Sequence, residues 1–275
     1  MSAALGCWID GRRADALPAD DRGLHYGDGL FETIVVRAGG ARFLESHLAR
    51  LATGCMRLGI RFAAMPELRS EIAAAVALAP RALLKIIVTR GSAVRRGYAP
   101  QGTESARRLL SLWPDDGPPV SMADGVELHV ATTRLAVNEA LAGVKHLSRI
   151  ENVMATAAAA AAGAFDALLL DCDGHVISGA MSNVFVVRSA AVMTPSVDRC
   201  GVAGVMRGVV LRECATLGVA AREGRITLEE LHAADEVFIT NARIGVVPVR
   251  RVGEHSLHMD TIAQRLRAHI EALDA

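Results

Sequence analysis

The sequence predicts an α+β protein of two domains. Period-two and helical apolar patterns both occur, but without strict strand–helix alternation, which favours segregated layers over a doubly wound sheet. An acidic stretch with three prolines, Trp113 to Gly125, interrupts the chain near its middle and marks a boundary. The 275 residues, 51% of them apolar, suffice for two modest cores. The expected division is a small N-terminal α/β domain over 1–115, a linker over 116–125 and a larger C-terminal domain over 126–275.

In chain order, Cys7–Arg12 reads as a strand turned at Asp10-Gly11. Leu30–Arg37 alternates as a second strand. Leu44–Leu58 places Leu44, Leu48, Leu51 and Cys55 on one helical face, and Met65–Leu78 is a helix that stops before Pro80. Ala82–Thr89 and Leu109–Trp113 are strands joined by a loop rich in arginine and glycine. Beyond the boundary, Val126–Thr133 alternates as a strand, and the alanine-rich Arg149–Ala162 is helical. Ala167–Ile177 forms a hairpin at Asp173-Gly174. Asn183–Val187 and Val237–Thr240 are strands; Val205–Leu217 and Thr261–Leu273 are helices.

Composition excludes several classes. Thirty basic and thirty acidic residues give zero net charge, without the basic footprint of a nucleic-acid binder. No apolar run is long enough to cross a bilayer as a helix. The start of the chain lacks the basic-then-apolar pattern of a secretory signal. Five widely spaced cysteines include no CxxC pair, and the histidines form no ligand-spaced cluster, so no metal is expected. A reduced, cytoplasmic setting is the expectation.

The lysines narrow the chemistry. There are two, Lys85 and Lys145, against twenty-eight arginines. An amine can deprotonate and condense with an aldehyde; a guanidinium cannot. Lys85 lies mid-strand in LLKIIV, where a stem along the sheet with its head in water is the ordinary role. Lys145 follows Gly143 and precedes a helix-forming run, a suitable fixed point in a pocket.

Around Lys145, GVKHLSRIENV resembles the Gly-[Ile/Val]-Lys-His-Leu-x-Arg segment of 4-amino-4-deoxychorismate lyases. DRGLHYGDGLFETI (Asp21 to Ile34) resembles a signature of the fold-type-IV class of pyridoxal 5'-phosphate (PLP) enzymes, whose architecture is D-amino acid aminotransferase-like. HLARL (His47 to Leu51), RCGVAGVMRGVVL (Arg199 to Leu211) and TRGSAVRRGY (Thr89 to Tyr98) resemble further segments of that class or of its lyase branch. They fall in one order over nearly the whole chain.

The resemblance implies roles. Lys145 would bear PLP covalently and serve as general base and acid. A helix N-terminus suits a phosphate dianion, so the amides of Val205 and Met206 are donor candidates. Arg50 would clamp the phosphate through its planar fork, and Thr240 and Asn241 would complete the cup. Tyr26, Arg90, Arg96, Tyr98 and Arg149 are the candidates for a substrate with two carboxylates. Aminotransferases of the class tend to carry tyrosine at the position of Arg149, so the arginine favours the lyase branch. Members are homodimers with active sites near a domain junction, which implies the same here.

One position departs from the class pattern. The strand after the hairpin usually supplies a glutamate that keeps the pyridine nitrogen protonated. HVISGAMSNVF puts Ser178 there, which offers a hydrogen bond without a charge. This weakens an amino-transfer reading more than a lyase reading, since the lyase reaction also gains the aromaticity of its product. The expected function is conversion of 4-amino-4-deoxychorismate to 4-aminobenzoate and pyruvate, a step of folate synthesis. The alternatives are a D-amino acid or branched-chain aminotransferase, and a PLP-binding protein of impaired activity.

Overall fold

The computed structural model describes residues 3–14, 16–93, 95, 97–117, 124–259 and 261–273. The chain divides into two compact units, Met1–Gly117 with Val144–Ser148, and Pro118–Gly143 with Arg149–Ala275. The Lys145 segment therefore belongs with the first unit, which a division into continuous stretches does not provide. Residues 118–123 of the expected linker lie outside the described residues.

The first unit runs β1 (Gly6–Ile9), β2 (Arg12–Arg13), α1 (Arg22–Tyr26), β3 (Gly29–Arg37), β4 (Gly40–Ala41), α2 (Leu44–Arg57), α3 (Met65–Val76), β5 (Arg81–Thr89) and β6 (Arg107–Pro114). Its strands form an antiparallel sheet in the order β2-β1-β6-β5-β3-β4. The inward residues of β3 and β5, Ile34, Val36, Leu84 and Ile86 among them, meet Leu48 and Leu51 of α2 and Leu68 and Ile72 of α3 in one core. Alternation on the strands and helical spacing on α2 are the same apolar demand met by two geometries.

Sequence reading missed α1, although its signals are local. Asp21 caps Gly23 through its side chain, and Gly27 closes the helix at φ 65°. Val144–Ser148 runs beside the start of β3, with Phe31 N–H donating to Lys145 O (3.1 Å) and Leu147 N–H to Gly29 O (3.0 Å).

The second unit runs β7 (Val126–Leu135), α4 (Ile150–Ala161), β8 (Asp166–Asp171), β9 (Val176–Gly179), β10 (Asn183–Arg188), β11 (Ala191–Pro195), α5 (Val205–Thr216), β12 (Ala221–Gly224), α6 (Leu228–His232), β13 (Glu236–Asn241), β14 (Gly245–Val252), β15 (His255–Ser256) and α7 (Thr261–Ala272). The main strand order is β12-β11-β10-β13-β14-β7-β8-β9, with β15 beside β14. Pairing is mixed: β11–β12, β14–β7 and β7–β8 are parallel, and the rest antiparallel. At the centre Phe185 of β10 stands opposite Phe238 of β13, their rings stacked at 4.8 Å. No described helix is long and apolar enough to cross a membrane.

Candidate active site

Lys145 is held by its backbone against β3, and its Nζ lies 4.2 Å from the centre of the Phe31 ring. The face of an aromatic ring attracts a cation, which helps to confine the amine. Lys85 reaches the same ring at 5.6 Å from the exposed β5 position that the sequence predicted. Two residues before Lys145, Gly143 sits at φ 77°, a region that favours glycine. Its N–H donates to Gly201 O and its carbonyl accepts from Ala203 N–H, both at 3.0 Å.

That laced loop leads into α5. Gly204 is the N-cap of α5 and offers no side chain to the helix's first amides. Val205 and Met206 follow, both buried. The helix is anchored farther along by Arg207, whose Nη2 donates to Pro195 O at 2.9 Å and pairs with Glu223. Beside this N-terminus, Asn183 donates to Val202 O at 2.9 Å. A methyl on Gly204 would fall 2.0 Å from Asn183 Oδ1, so any side chain there must displace Asn183 or the helix. Thr240 pairs directly across from Asn183, placing the two side chains on one sheet face. The Thr240 hydroxyl is fully buried and has no hydrogen-bond partner among the described residues. A buried hydroxyl without a partner is costly, and it marks where an acceptor belongs.

Asn241 is committed elsewhere. Its Oδ1 accepts from Arg243 and Ile244 N–H, and its Nδ2 donates to Met181 O, so its side chain shapes the β13–β14 turn. Arg50 meets Glu32 side-on, through Nε at 2.8 Å and Nη2 at 2.5 Å, and His47 Nδ1 meets the same carboxylate at 2.6 Å. Burial works to raise the Glu32 pKa, but the bonds and charges of His47 and Arg50 outweigh it and hold the carboxyl below the usual range.

Ser178 lies buried on β9 opposite Leu169. The loop after it is gripped from several sides. Asp166, itself buried, accepts from Ala167, Ala180 and Met181 N–H and from Ser182 Oγ. Asn152 of α4 donates to Ala180 O at 2.7 Å. Burial pushes the Asp166 carboxyl up to about 6 despite its four donors. Those donors occupy both its oxygens.

The substrate candidates separate. Arg90 departs from expectation: Nε and Nη2 grip Asp28, while Nη1 and Nη2 donate to Gly59 O and Leu58 O, committing four of its N–H groups to the fold. Asp28 also receives Arg22 Nε at 2.8 Å. Burial opposes ionisation of Asp28, but the two guanidiniums outweigh it and depress its pKa. Tyr26 and Tyr98 come together, with ring centres 5.2 Å apart. Arg96 lies outside the described residues. Arg149 occupies the N-cap position of α4 in the second unit. Sequence reasoning missed Arg22, Asp28, Asn152, Asp166 and Asn183; only the cap pattern around Arg22 was visible locally.

Comparison with known proteins places this arrangement. The family described as amino-transferase class IV matches residues 29–252.

The chain belongs to the class IV aminotransferase family.

Among relatives, it is 35% identical to the aminodeoxychorismate lyase of Vibrio harveyi over 246 residues, covering 88% of this chain and 89% of that one. Among solved structures, the 4-amino-4-deoxychorismate lyase of Pseudomonas aeruginosa superposes with a TM-score of 0.91 at 42% identity, covering 97% of this chain and 98% of that one. The T.th. branched-chain amino acid aminotransferase, solved with pyridoxamine 5'-phosphate, has a TM-score of 0.85 at 25% identity, covering 99% of this chain and 95% of that one. The expected α+β, D-amino acid aminotransferase-like fold is thus the observed class IV fold. The class IV cofactor is a phosphate ester, and the uncapped start of α5, the close packing of Gly204 on Asn183 and the orphaned Thr240 hydroxyl fit its phosphate.

Proposed function

We propose that this class IV enzyme is a PLP-dependent lyase converting 4-amino-4-deoxychorismate to 4-aminobenzoate and pyruvate. The observation that carries the reading is the likeness to the solved lyase at 42% identity over nearly the full length. Arg149, in place of the tyrosine expected of aminotransferases, supports the same branch. The residues assigned to the cofactor are Lys145, Arg50, Ser178, Val205, Met206 and Thr240. Bound there, PLP supplies an electron sink conjugated to the substrate's amino group.

The protein's own groups do the rest. The amides of Val205 and Met206 and the hydroxyl of Thr240 hold the phosphate, with Arg50 as a cationic clamp oriented by Glu32. Ser178 offers a hydrogen bond to the ring nitrogen without a fixed charge. Lys145 Nζ removes the proton from C4 of the substrate ring and returns a proton to the departing enolpyruvyl group, which becomes pyruvate. The carbocycle is left aromatic, and no water or second substrate is consumed. Arg149 and Tyr26 line the substrate.

As proposed, the enzyme acts as a cytoplasmic homodimer. The five free cysteines and the exposed Ile150, Val153 and Met154 on α4 support that setting and that assembly. Pyruvate release from aminodeoxychorismate, run beside an amino-transfer assay with 2-oxoglutarate, tests the reading. Amino transfer without pyruvate release would replace it with the aminotransferase alternative.

A further inference from the structure

The turn from β8 into β9 reads Asp171-Cys172-Asp173-Gly174-His175. Gly174, at φ 84°, reverses the chain there. Asp171, Asp173 and His175 each present one ligand atom, and the three atoms lie within 4.8 Å of one another. Asp171 is 0% exposed. Its Oδ1 accepts from the N–H groups of Asp173 and His175, at 3.0 and 2.9 Å, which shapes the turn. Its Oδ2 has no hydrogen-bond partner among the described residues, and neither has the buried Nδ1 of His175. Leaving such atoms open is costly. Both can offer a lone pair, the imidazole when its proton is on Nε2.

One cation already stands at the rim. Arg199, from the loop before α5, donates through Nη1 to Asp173 Oδ2 at 2.6 Å. The same nitrogen lies 3.8 Å from Asp171 Oδ2, too far for a hydrogen bond. A single positive charge thus faces two carboxylates and satisfies one of them. The Arg199 side chain is 26% exposed, and an ion pair at the surface contributes little. The backbone of Arg199 is held separately, its carbonyl accepting from Asn138 N–H at 2.8 Å, so the guanidinium can turn into water without moving the loop.

We propose that Asp171, Asp173 and His175 form a site for a divalent transition-metal ion of the zinc type, with Arg199 as the internal competitor that the ion displaces. One imidazole and two carboxylates suit zinc, cobalt or nickel, whereas calcium and magnesium favour sites built from oxygen alone. Metal–ligand bonds of about 2.1 Å set neighbouring ligand atoms roughly 3–3.5 Å apart, so the three must draw in by about an ångström. Asp173, at the exposed tip of the turn, supplies that movement, and water fills the remaining position. None of these residues is assigned to the cofactor or the substrate, so the inference stands apart from the lyase reading.

The test is isothermal titration calorimetry of the PLP-loaded protein with zinc chloride, repeated with calcium and magnesium chloride. One zinc per chain is expected at this turn, with calcium and magnesium weaker by about a hundredfold or more. Asp173→Asn and His175→Gln should each weaken zinc by at least about tenfold, the loss seen even when a group that only supports a ligand is removed. Arg199→Gln should tighten zinc about tenfold, the gain from removing a competitor that fills the site about nine-tenths of the time. That gain separates a metal site from a cluster whose only role is its ion pair. Cys172→Ser should leave the affinity unchanged, since its exposed thiol is the nearest rival ligand in the sequence. Thermal unfolding of each variant without metal checks the fold, and if His175→Gln does not fold, Asp173→Asn at the exposed tip decides. No zinc uptake at millimolar concentration, uptake indifferent to Asp173→Asn, weaker binding in Arg199→Gln, loss of binding in Cys172→Ser, or calcium binding as tight as zinc overturns the proposal.

Discussion

Gly204→Ala probes the proposed phosphate cup by steric means alone. Gly204 has φ −64° and ψ 142°, which alanine adopts without strain. Its new methyl would lie 2.0 Å from Asn183 Oδ1 and 3.2 Å from Asn183 Cγ, so one partner must withdraw by more than an ångström. If Asn183 moves, its 2.9 Å bond to Val202 O breaks. If the helix moves, the amides of Val205 and Met206 leave the Thr240 side of the cup. A lost hydrogen bond costs about 1 kcal/mol, and a stranded buried polar group a further 1–2 kcal/mol. Charged against cofactor binding, roughly 2–3 kcal/mol is a ~30- to 150-fold weaker affinity. Absorbance titration of the apoprotein with PLP and with pyridoxal measures this, with thermal unfolding in parallel. PLP should weaken far more than pyridoxal, which has no phosphate. Equal weakening of the two, or none, would refute the assignment of the α5 N-terminus.

Other outcomes follow from the same geometry. Borohydride reduction of the PLP-loaded protein should map the label by mass spectrometry to Lys145, and Lys145→Ala should take up none; a label on Lys85 would contradict the assignment. Ser178→Glu should leave pyruvate release within about tenfold of wild type; a gain of several orders of magnitude would show the serine to be a defect. The Glu32 pKa is lowered by folding, so its ion pairs stabilise the protein above the ordinary carboxylate range, near 4.5, and that share is lost as pH falls through and below it. Glu32→Gln should therefore flatten the acid limb of a denaturation series, and an unchanged limb would count against the pairing. Asp166 runs the other way, since folding raises its pKa from 3.8 to about 6. Its ionisation costs stability as pH rises through that window, by roughly 3 kcal/mol at ~1.4 kcal/mol per pH unit. Wild type should thus lose part of its advantage over Asp166→Asn between pH 4 and 6, and parallel curves would sink the claim.

The long helices and the core strands were legible because each repeats an apolar spacing that only one geometry satisfies. Leu44–Leu58 and Val205–Leu217 match the observed α2 and α5 to within a residue. β14 escaped notice because Pro248 lies within it, and proline argues against a strand interior; here it stands opposite Phe238 inside the sheet. β11 also ends on a proline, Pro195. Of the site candidates, Lys145 stood out through rarity, and Val205 and Met206 through the glycine-rich approach to a helix. Arg90 reads like a ligand for substrate carboxylates from its place before a loop rich in arginine and glycine, while in the fold it holds Asp28, sixty-two residues earlier. Arg22 and Asp166 work through partners scattered along the chain, and spacing alone carries no trace of such partnerships.

The scarcity of lysine has a practical side. The ε-amines of both lysines lie near one phenyl ring, that of Phe31. Amine-directed reagents, from activated esters to aldehyde-coated supports, therefore find their side-chain targets in the neighbourhood of the lysine proposed to bear the cofactor. On the proposed role of Lys145, immobilising the protein that way would blunt it, whereas the exposed thiol of Cys172, at the turn between β8 and β9, offers a handle on a different unit of the chain.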